Sequence, residues 1–160
     1  MGNQSSLTNY IPPTIPIKYL TAEYIQKELP SMKGKIVAIT GASTERGLGF
    51  ICAKALALKG ARIILLNRPS ERAIAAENRL RELVPGVEVS SISCDLMSFE
   101  SVKSASAALI SQFGVVGLDV LCNNAGVMAM PDQATIDGIY LSQSIFINYI
   151  YEYLFLLLIV

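Results

Sequence analysis

No histidine occurs anywhere in the 160 residues. That absence removes the side chain most often used as a general base and as a metal ligand, which argues against a catalytic triad or a zinc centre. Cysteine is scarce as well. Cys52, Cys94 and Cys122 are odd in number, far apart and without a CxxC pair, so a disulfide framework or a metal knot is not expected, and the three are read as buried thiols. Charge is sparse and balanced, with Lys plus Arg and Asp plus Glu at 13 each. No net field therefore favours nucleic acid or an anionic membrane surface, and any anion has to be bound locally. No apolar segment follows a basic start, so no secretory signal is expected. The expected setting is a reducing one, the cytoplasm or the reducing side of an organelle.

What is present is apolar. With 52% hydrophobic and 16% charged residues, the chain has the composition of about one domain with a single core. Residues 1–34 differ from the rest. Pro12, Pro13, Pro16 and Pro30 punctuate them and predict an extended arm, with one short helix around Ala22 to Glu28. The opening Met1-Gly2-Asn3-Gln4-Ser5-Ser6 matches the short myristoylation pattern at Gly2, whose single acyl chain would hold a membrane only marginally.

From Lys35 the pattern becomes regular. Ile36 to Ile39 is a short apolar run, as in a strand buried on both faces. Leu48 to Lys59 reads as a helix with Gly60 as its C-terminal cap, and Ala61 to Leu66 as a second buried strand. Ser70 to Leu83 is helix-like, with Ala73, Ala76, Leu80 and Leu83 on one side, until Pro85-Gly86 ends it. Val87 to Cys94 alternates as a third strand. Phe99 to Phe113 forms a third helix behind Ser98 as N-cap, and Leu118 to Cys122 a fourth strand. Strands alternating with helices predict an α/β fold with a doubly wound parallel sheet, Rossmann-like, over residues 35–138.

In this order the stretch Thr40-Gly41-Ala42-Ser43-Thr44-Glu45-Arg46-Gly47-Leu48-Gly49 falls at the first strand-to-helix turn. Glycines there permit a tight turn and close approach to a pyrophosphate, and the free N–H groups of the helix start attract negative charge. The candidate contacts are Gly41, Ser43, Thr44, Arg46, Gly47, Leu48 and Gly49. A plain flexible turn is the alternative, and the flanking strand and helix favour the nucleotide.

Thr40-Gly41 with Gly47-x-Gly49, Cys94-Asp95-Leu96 after the third strand, and Asn123-Asn124-Ala125-Gly126 after the fourth together resemble the short-chain dehydrogenase/reductase family. The likeness covers about Lys33 to Gly138, and Leu118 to Met128 with Asp137-Gly138 is most similar to the retinol-dehydrogenase-like branch. The resemblance implies that Asp95, beside Leu96, meets an adenine ring. It also implies that Asn124, Ala125 and Gly126 line the cofactor's ribose and support the first strand. Most of the family has three residues between the first two glycines, whereas this chain has five, a spacing that resembles the enoyl-reductase branch.

At the end of the second strand stands Asn67-Arg68, without the acid that an NAD site offers to the ribose 2′-OH. A guanidinium there suits a 2′-phosphate through charge-assisted hydrogen bonds. Arg46 precedes the second glycine, where the family's NADP users often carry a basic residue. The expected cofactor is NADP, with NAD the less favoured reading and a solvated surface arginine the bland one.

The family's hydride chemistry uses a Tyr-x-x-x-Lys pair beyond the Asn-Asn-Ala-Gly strand, the lysine lowering the tyrosine pKa by its charge. Here the last lysine is Lys103 and the last arginine Arg81, so no such pair follows residue 126 and no catalytic residue is assigned. Residues 139–160 hold five Ile, five Leu, four Tyr and two Phe, with Glu152 the only charge. Three readings of this divergent tail stand: a membrane span, an altered next helix with Asn148 as an ordering asparagine, or residues from an unspliced intron or frame error after an authentic end near Gly138. The last is preferred. Two functions follow. One is the cofactor half, an incomplete domain, of an NADP-dependent oxidoreductase for a small alcohol or carbonyl. The other is a non-catalytic nucleotide-binding protein, or one associated with a membrane through Gly2 and the tail.

Overall fold

The computed structural model describes Tyr24 and residues 27–126 and 133–138. The myristoylation pattern and residues 139–160 lie outside them. Of the short helix expected around Ala22 to Glu28, Tyr24, Lys27 and Glu28 are described, and all three have helical backbone.

Four strands, β1 (Ile36–Thr40), β2 (Arg62–Asn67), β3 (Val89–Ser93) and β4 (Val120–Cys122), alternate with three helices, α1 (Leu48–Leu58), α2 (Glu71–Leu83) and α3 (Phe99–Phe113). The strands form one sheet in the order β3-β2-β1-β4, and every pairing is parallel. In the register Val37 lies opposite Ile63 and Val120, and Leu66 opposite Thr40 and Ile92.

Because successive strand residues point to opposite faces, the unbroken apolar runs of β1 and β2 feed two cores. Ile36, Ala38, Ile64, Leu66 and Ile92 pack with Val102, Ala105, Leu109 and Phe113 of α3. Val37, Ile39, Ile63, Leu65 and Val89 pack on the other face with Phe50, Ala53 and Ala57 of α1 and with Ala76 and Leu80 of α2. Helices on both faces of a parallel sheet make this the Rossmann-like arrangement the alternation predicts. Each buried Val, Leu or Ile contributes about 1.5–3 kcal/mol from removal of its surface from water.

Local signals set the helix ends. Ser70 and Ser98 accept from the Ala73 and Ser101 N–H groups and cap α2 and α3. At the other end of α1, Gly60 has φ 91°, and Gly60 N and Ala61 N donate to the carbonyls of Ala57 and Leu56 at 2.9 and 3.1 Å. This double bond pattern is the one a left-handed residue after the helix makes possible.

Three strands start later than the sequence places them. The N–H of Ala61 is taken by the helix end, so β2 starts at Arg62 and runs on to Asn67. Val87 belongs to a turn closed by its N–H on Val84 O at 3.1 Å, which delays β3 to Val89. At the start of β4, Leu118 is buried as a plug in the α3-side core, and the Asp119 carboxylate, rather than a strand carbonyl, accepts the Ile36 N–H at 2.8 Å. The same carboxylate receives Lys35 Nζ at 2.7 Å, and both contacts hold its pKa below the usual range, the lysine hydrogen bond foremost.

The cysteines also depart from expectation. All three are free thiols, but only Cys94 is buried, while Cys52 and Cys122 are half-buried.

Candidate functional site

Strand order reverses at β1, whose neighbours β2 and β4 continue the chain on opposite sides. In an open parallel sheet a crevice forms outside the carboxyl ends of the strands at such a point. The carboxyl ends of β1, β2 and β4 are Thr40, Asn67 and Cys122, and the loops that follow them carry the candidate site residues.

The glycine loop leaves β1 at Gly41, with φ 70°. A Cβ there would stand 2.7 Å from Ala125 Cα, closer than any side chain tolerates, so glycine is required both by conformation and by space. At Gly49, a Cβ would meet Asn124 Nδ2 at 2.4 Å. The loop and the Asn123-Asn124-Ala125-Gly126 segment are thus in direct contact. Thr40 ties them. Its Oγ1 accepts the N–H groups of Asn124 and Ala125, both at 3.0 Å, and Asn124 Nδ2 donates to Thr40 O at 2.9 Å and Gly41 O at 3.3 Å. Thr40 is the residue sequence reasoning left out of the site. Its signal is a hydroxyl ending an otherwise apolar strand, where it is 1% exposed.

Five residues between Gly41 and Gly47 give the loop reach. Glu45, in its outer part, pairs with Arg79 of α2 at 3.2 Å, and Arg79 also pairs with Glu82 at 3.0 Å. The hydrogen bonds that Arg79 donates to Glu82 and then to Glu45 raise its pKa. Gly47 N donates to Thr44 O at 2.9 Å and closes the turn before α1. Gly47 itself is the N-cap, and no side chain caps α1, nor does an acid occupy its first turn. The helix start therefore offers N–H groups without an intrahelical partner, together with the positive end of the helix dipole. Ser43 is half-buried beside it, and Thr44, Arg46 and Leu48 are exposed.

The β2 end adds a third wall. Asn67, buried, accepts the Ala42 N–H on Oδ1 at 2.9 Å, which fixes the first turn of the glycine loop. Its Nδ2 is buried without a partner among the described residues, a donor that an acceptor oxygen would satisfy. Arg68 is exposed, and among the described residues its guanidinium reaches only Met97 Sδ at 3.9 Å. Past β3, the Asp95 carboxylate accepts the Met97 N–H at 3.0 Å, and Ser101 Oγ accepts the Asp95 N–H at 2.8 Å. Leu96 packs against the α3-side core. Asp137, outside the candidate set, accepts the Phe99 N–H at 2.8 Å and joins residues 133–138 to the start of α3.

The structure thus gathers Gly41, Gly49, Asn67, Asn124 and Ala125 into one hydrogen-bonded or van der Waals cluster. Arg46 and Arg68 have no ion pair described, and Gly126 is exposed with open space at its Cβ position. A cavity of about 670 Å³ lies elsewhere, at the amino ends of β1 and β2, lined by Gly34, Gly60, Arg62, Val84, Glu88 and Val116. Its lining shares no residue with the glycine loop. Among the described residues no group of three His, Cys, Asp or Glu could hold a metal, and no helix is long and apolar enough to cross a membrane.

Comparison with known proteins agrees with this geometry. The chain is 33% identical over 135 residues to an uncharacterised oxidoreductase of Schizosaccharomyces pombe, covering 84% of this chain and 38% of that protein. A crystal structure of an uncharacterised protein from Mycobacterium paratuberculosis superposes with a TM-score of 0.60 at 35% identity, over 76% of this chain and 39% of the other. L-sorbose reductase from Gluconobacter frateurii, solved with NADPH and L-sorbose, gives a TM-score of 0.54 at 33% identity over 67% and 38%. An NAD+-bound xylitol dehydrogenase gives 0.52 at 36% over 60% and 35%. The chain spans less than half the length of these relatives. Residues 35–150 match the short chain dehydrogenase family, and the chain belongs to it.

Proposed function

We propose that this chain is the cofactor-binding half of an NADP(H)-dependent oxidoreductase that interconverts a small alcohol and its carbonyl. The observation that carries the cofactor choice is the β2 end, where a neutral Asn67 is already engaged with Ala42 N and an exposed Arg68 follows it. A carboxylate at this place accepts a ribose 2′-OH and repels a 2′-phosphate; an arginine does the reverse. Glu45, an acid in the glycine loop, is engaged by Arg79.

Bound NADPH would supply a hydride to the carbonyl carbon, and bound NADP+ would accept one from the alcohol carbon. The chain's own residues bind and orient. Gly41 and Gly49 keep the backbone low beside Asn124 and Ala125, the uncapped start of α1 faces negative charge, and the buried Asn67 Nδ2 offers a donor. Ser43, Thr44, Arg46, Gly47 and Leu48 flank the phosphates, Asp95 and Leu96 the adenine, and Asn124, Ala125 and Gly126 the ribose in this reading.

A proton must still reach the developing alkoxide. Tyr140, Tyr149, Tyr151 and Tyr153 have no Lys or Arg within four residues, so none has a neighbouring cation in sequence to lower its pKa from about 10. The 160-residue chain by itself is therefore proposed to bind the dinucleotide without turning substrate over. The second reading is a non-catalytic nucleotide-binding module. Equilibrium titration followed by nucleotide fluorescence tests the first: NADPH binds at least about tenfold more tightly than NADH, as a charge-assisted phosphate contact requires. Equal affinities would overturn the cofactor choice. NADPH consumption with a panel of aldehydes and ketones, abolished by changing one of those tyrosines to Phe, would overturn the proposed inactivity.

A further inference from the structure

We propose that Cys52 of α1 and Cys122 of β4 are a thiol pair that closes to a reversible disulfide when exposed to a small-molecule disulfide, clamping the helix behind the glycine loop to the strand that leads into Asn124. The two are far apart in sequence, yet the Cys122 thiol lies close enough to that of Cys52 to help raise its pKa, after burial. Both pack against the core shared by β1, β2, α1 and α2, and both are half-buried rather than sealed.

The surrounding geometry shows that this contact belongs to a seam. Residues three apart on a helix lie on one face, as do residues two apart on a strand. Gly49 stands one turn before Cys52, and Asn124 two residues after Cys122. A Cβ at Gly49 would lie against Asn124 Nδ2, so the start of α1 meets the segment that leaves β4, and Cys52, one turn on, is on the side of α1 towards Cys122 at the end of that strand. Cys122 is held on the sheet side by its pairing with Ile39 and by the Thr40 hydroxyl on its carbonyl at 3.5 Å. The third cysteine cannot compete. Cys94 belongs to the opposite core, with α3, and is buried, which together with the charge of Asp95 pushes its thiol up to about 11.

The chemistry balances as thiol–disulfide exchange. One cysteine, as thiolate, attacks a sulfur of the small disulfide and displaces one small thiol. The second attacks the mixed disulfide and releases the other. The protein loses two electrons and two protons, and the small disulfide is reduced to two thiols. Burial, then the neighbouring Cys122, raises the Cys52 pKa, so exchange proceeds through a small thiolate fraction and requires long incubation.

A bond between the sulfurs is shorter than a thiol–thiol contact, so closure draws α1 towards β4 directly under Gly49 and Asn124. This regulatory consequence rests on the dinucleotide reading above. The test uses the full chain incubated with oxidised glutathione or with dithiothreitol, followed by peptide mapping, melting and nucleotide titration. A Cys52–Cys122 linked peptide, reversible by dithiothreitol, is expected, with a melting temperature about 5 °C or more above the reduced chain because the cross-link restricts the unfolded state. NADPH binding is expected to weaken at least about threefold on oxidation and not to change in Cys52→Ser or Cys122→Ser. Separately glutathionylated cysteines, or a bridge to Cys94, would overturn the pairing. A bridge that leaves NADPH affinity unchanged would overturn its control of the site. Absence of NADPH binding in both states, with the bridge present, would sink the cofactor reading and the regulatory step while the pairing stands. Mapping the unsubstituted chain decides the pairing even if the serine variants fail to fold.

Discussion

Asn124 hangs from Thr40 by two hydrogen bonds, its N–H on the threonine Oγ1 at 3.0 Å and its Nδ2 on the threonine carbonyl at 2.9 Å. This joint fixes the floor of the crevice, because Ala125 N also donates to the same hydroxyl. Replacing Thr40 with Val keeps the shape and removes the acceptor. Two partly buried N–H groups then lose a partner, at about 1–3 kcal/mol for each group left unsatisfied. Thr40→Val is expected to lower the melting temperature by several degrees and to weaken NADPH binding. A variant indistinguishable from the parent by calorimetry would refute the role.

Gly41 makes a sharper test of the close approach. A methyl group there meets the Ala125 backbone at 2.7 Å, and the φ of 70° adds conformational strain. Gly41→Ala should cost more than about 2 kcal/mol, since both penalties act and a backbone atom cannot step aside. Gly86→Ala provides the comparison: its φ is 81° but nothing lies within 4 Å, so only the conformational cost of about 1–2 kcal/mol applies. Chemical denaturation of the two variants should rank them in that order.

For Arg68, replacement with Ala should weaken NADPH binding by about 1.5–3 kcal/mol, the scale of a hydrogen bond to a charged group, and leave NADH binding nearly unchanged. Its present contact, Met97 Sδ at 3.9 Å, is too weak for its loss to disturb the fold. Parallel losses for both nucleotides in the fluorescence titration would reassign Arg68 to the surface.

Stability should fall in acid through Asp119. Its folded pKa is lowered, first by Lys35 and then by the Ile36 N–H. A depressed carboxylate contributes stability above its unfolded pKa of about 3.9, and that contribution is lost as pH falls through the folded value. The pair is partly exposed, with side chains 54% and 30% accessible, so the effect is kept to about 1 kcal/mol by solvent screening. Asp119→Asn should flatten the stability curve between about pH 5 and pH 2 relative to the parent. An identical acid limb in both proteins would show that the contact contributes nothing.

Much of this architecture was legible in the chain. Apolar runs of Ile36 to Ile39 and Ile63 to Leu66, unbroken by polar residues, fit only strands covered on both faces, and the structure buries all of them. Ser70, Ser98 and Gly60 mark helix ends because capping is local chemistry between residues a few positions apart. The glycine pattern marked the turn after β1 for the same reason: backbone space is a property of single residues.

Contacts across the sheet were decided only by the tertiary structure. Thr40 under Asn124, Asn67 on Ala42, Glu45 on Arg79 and Cys52 beside Cys122 join residues distant in sequence, and no periodicity within one segment encodes which partner a side chain meets. The strand bounds moved for a related reason, since the Ala61 N–H turns back to the helix end and the Ile36 N–H goes to the Asp119 side chain. Composition and local pattern determine which segments are buried and where they turn; strand order and register determine which of those turns face one another, because they bring Gly41, Asn67 and Asn124 to the same end of one parallel sheet.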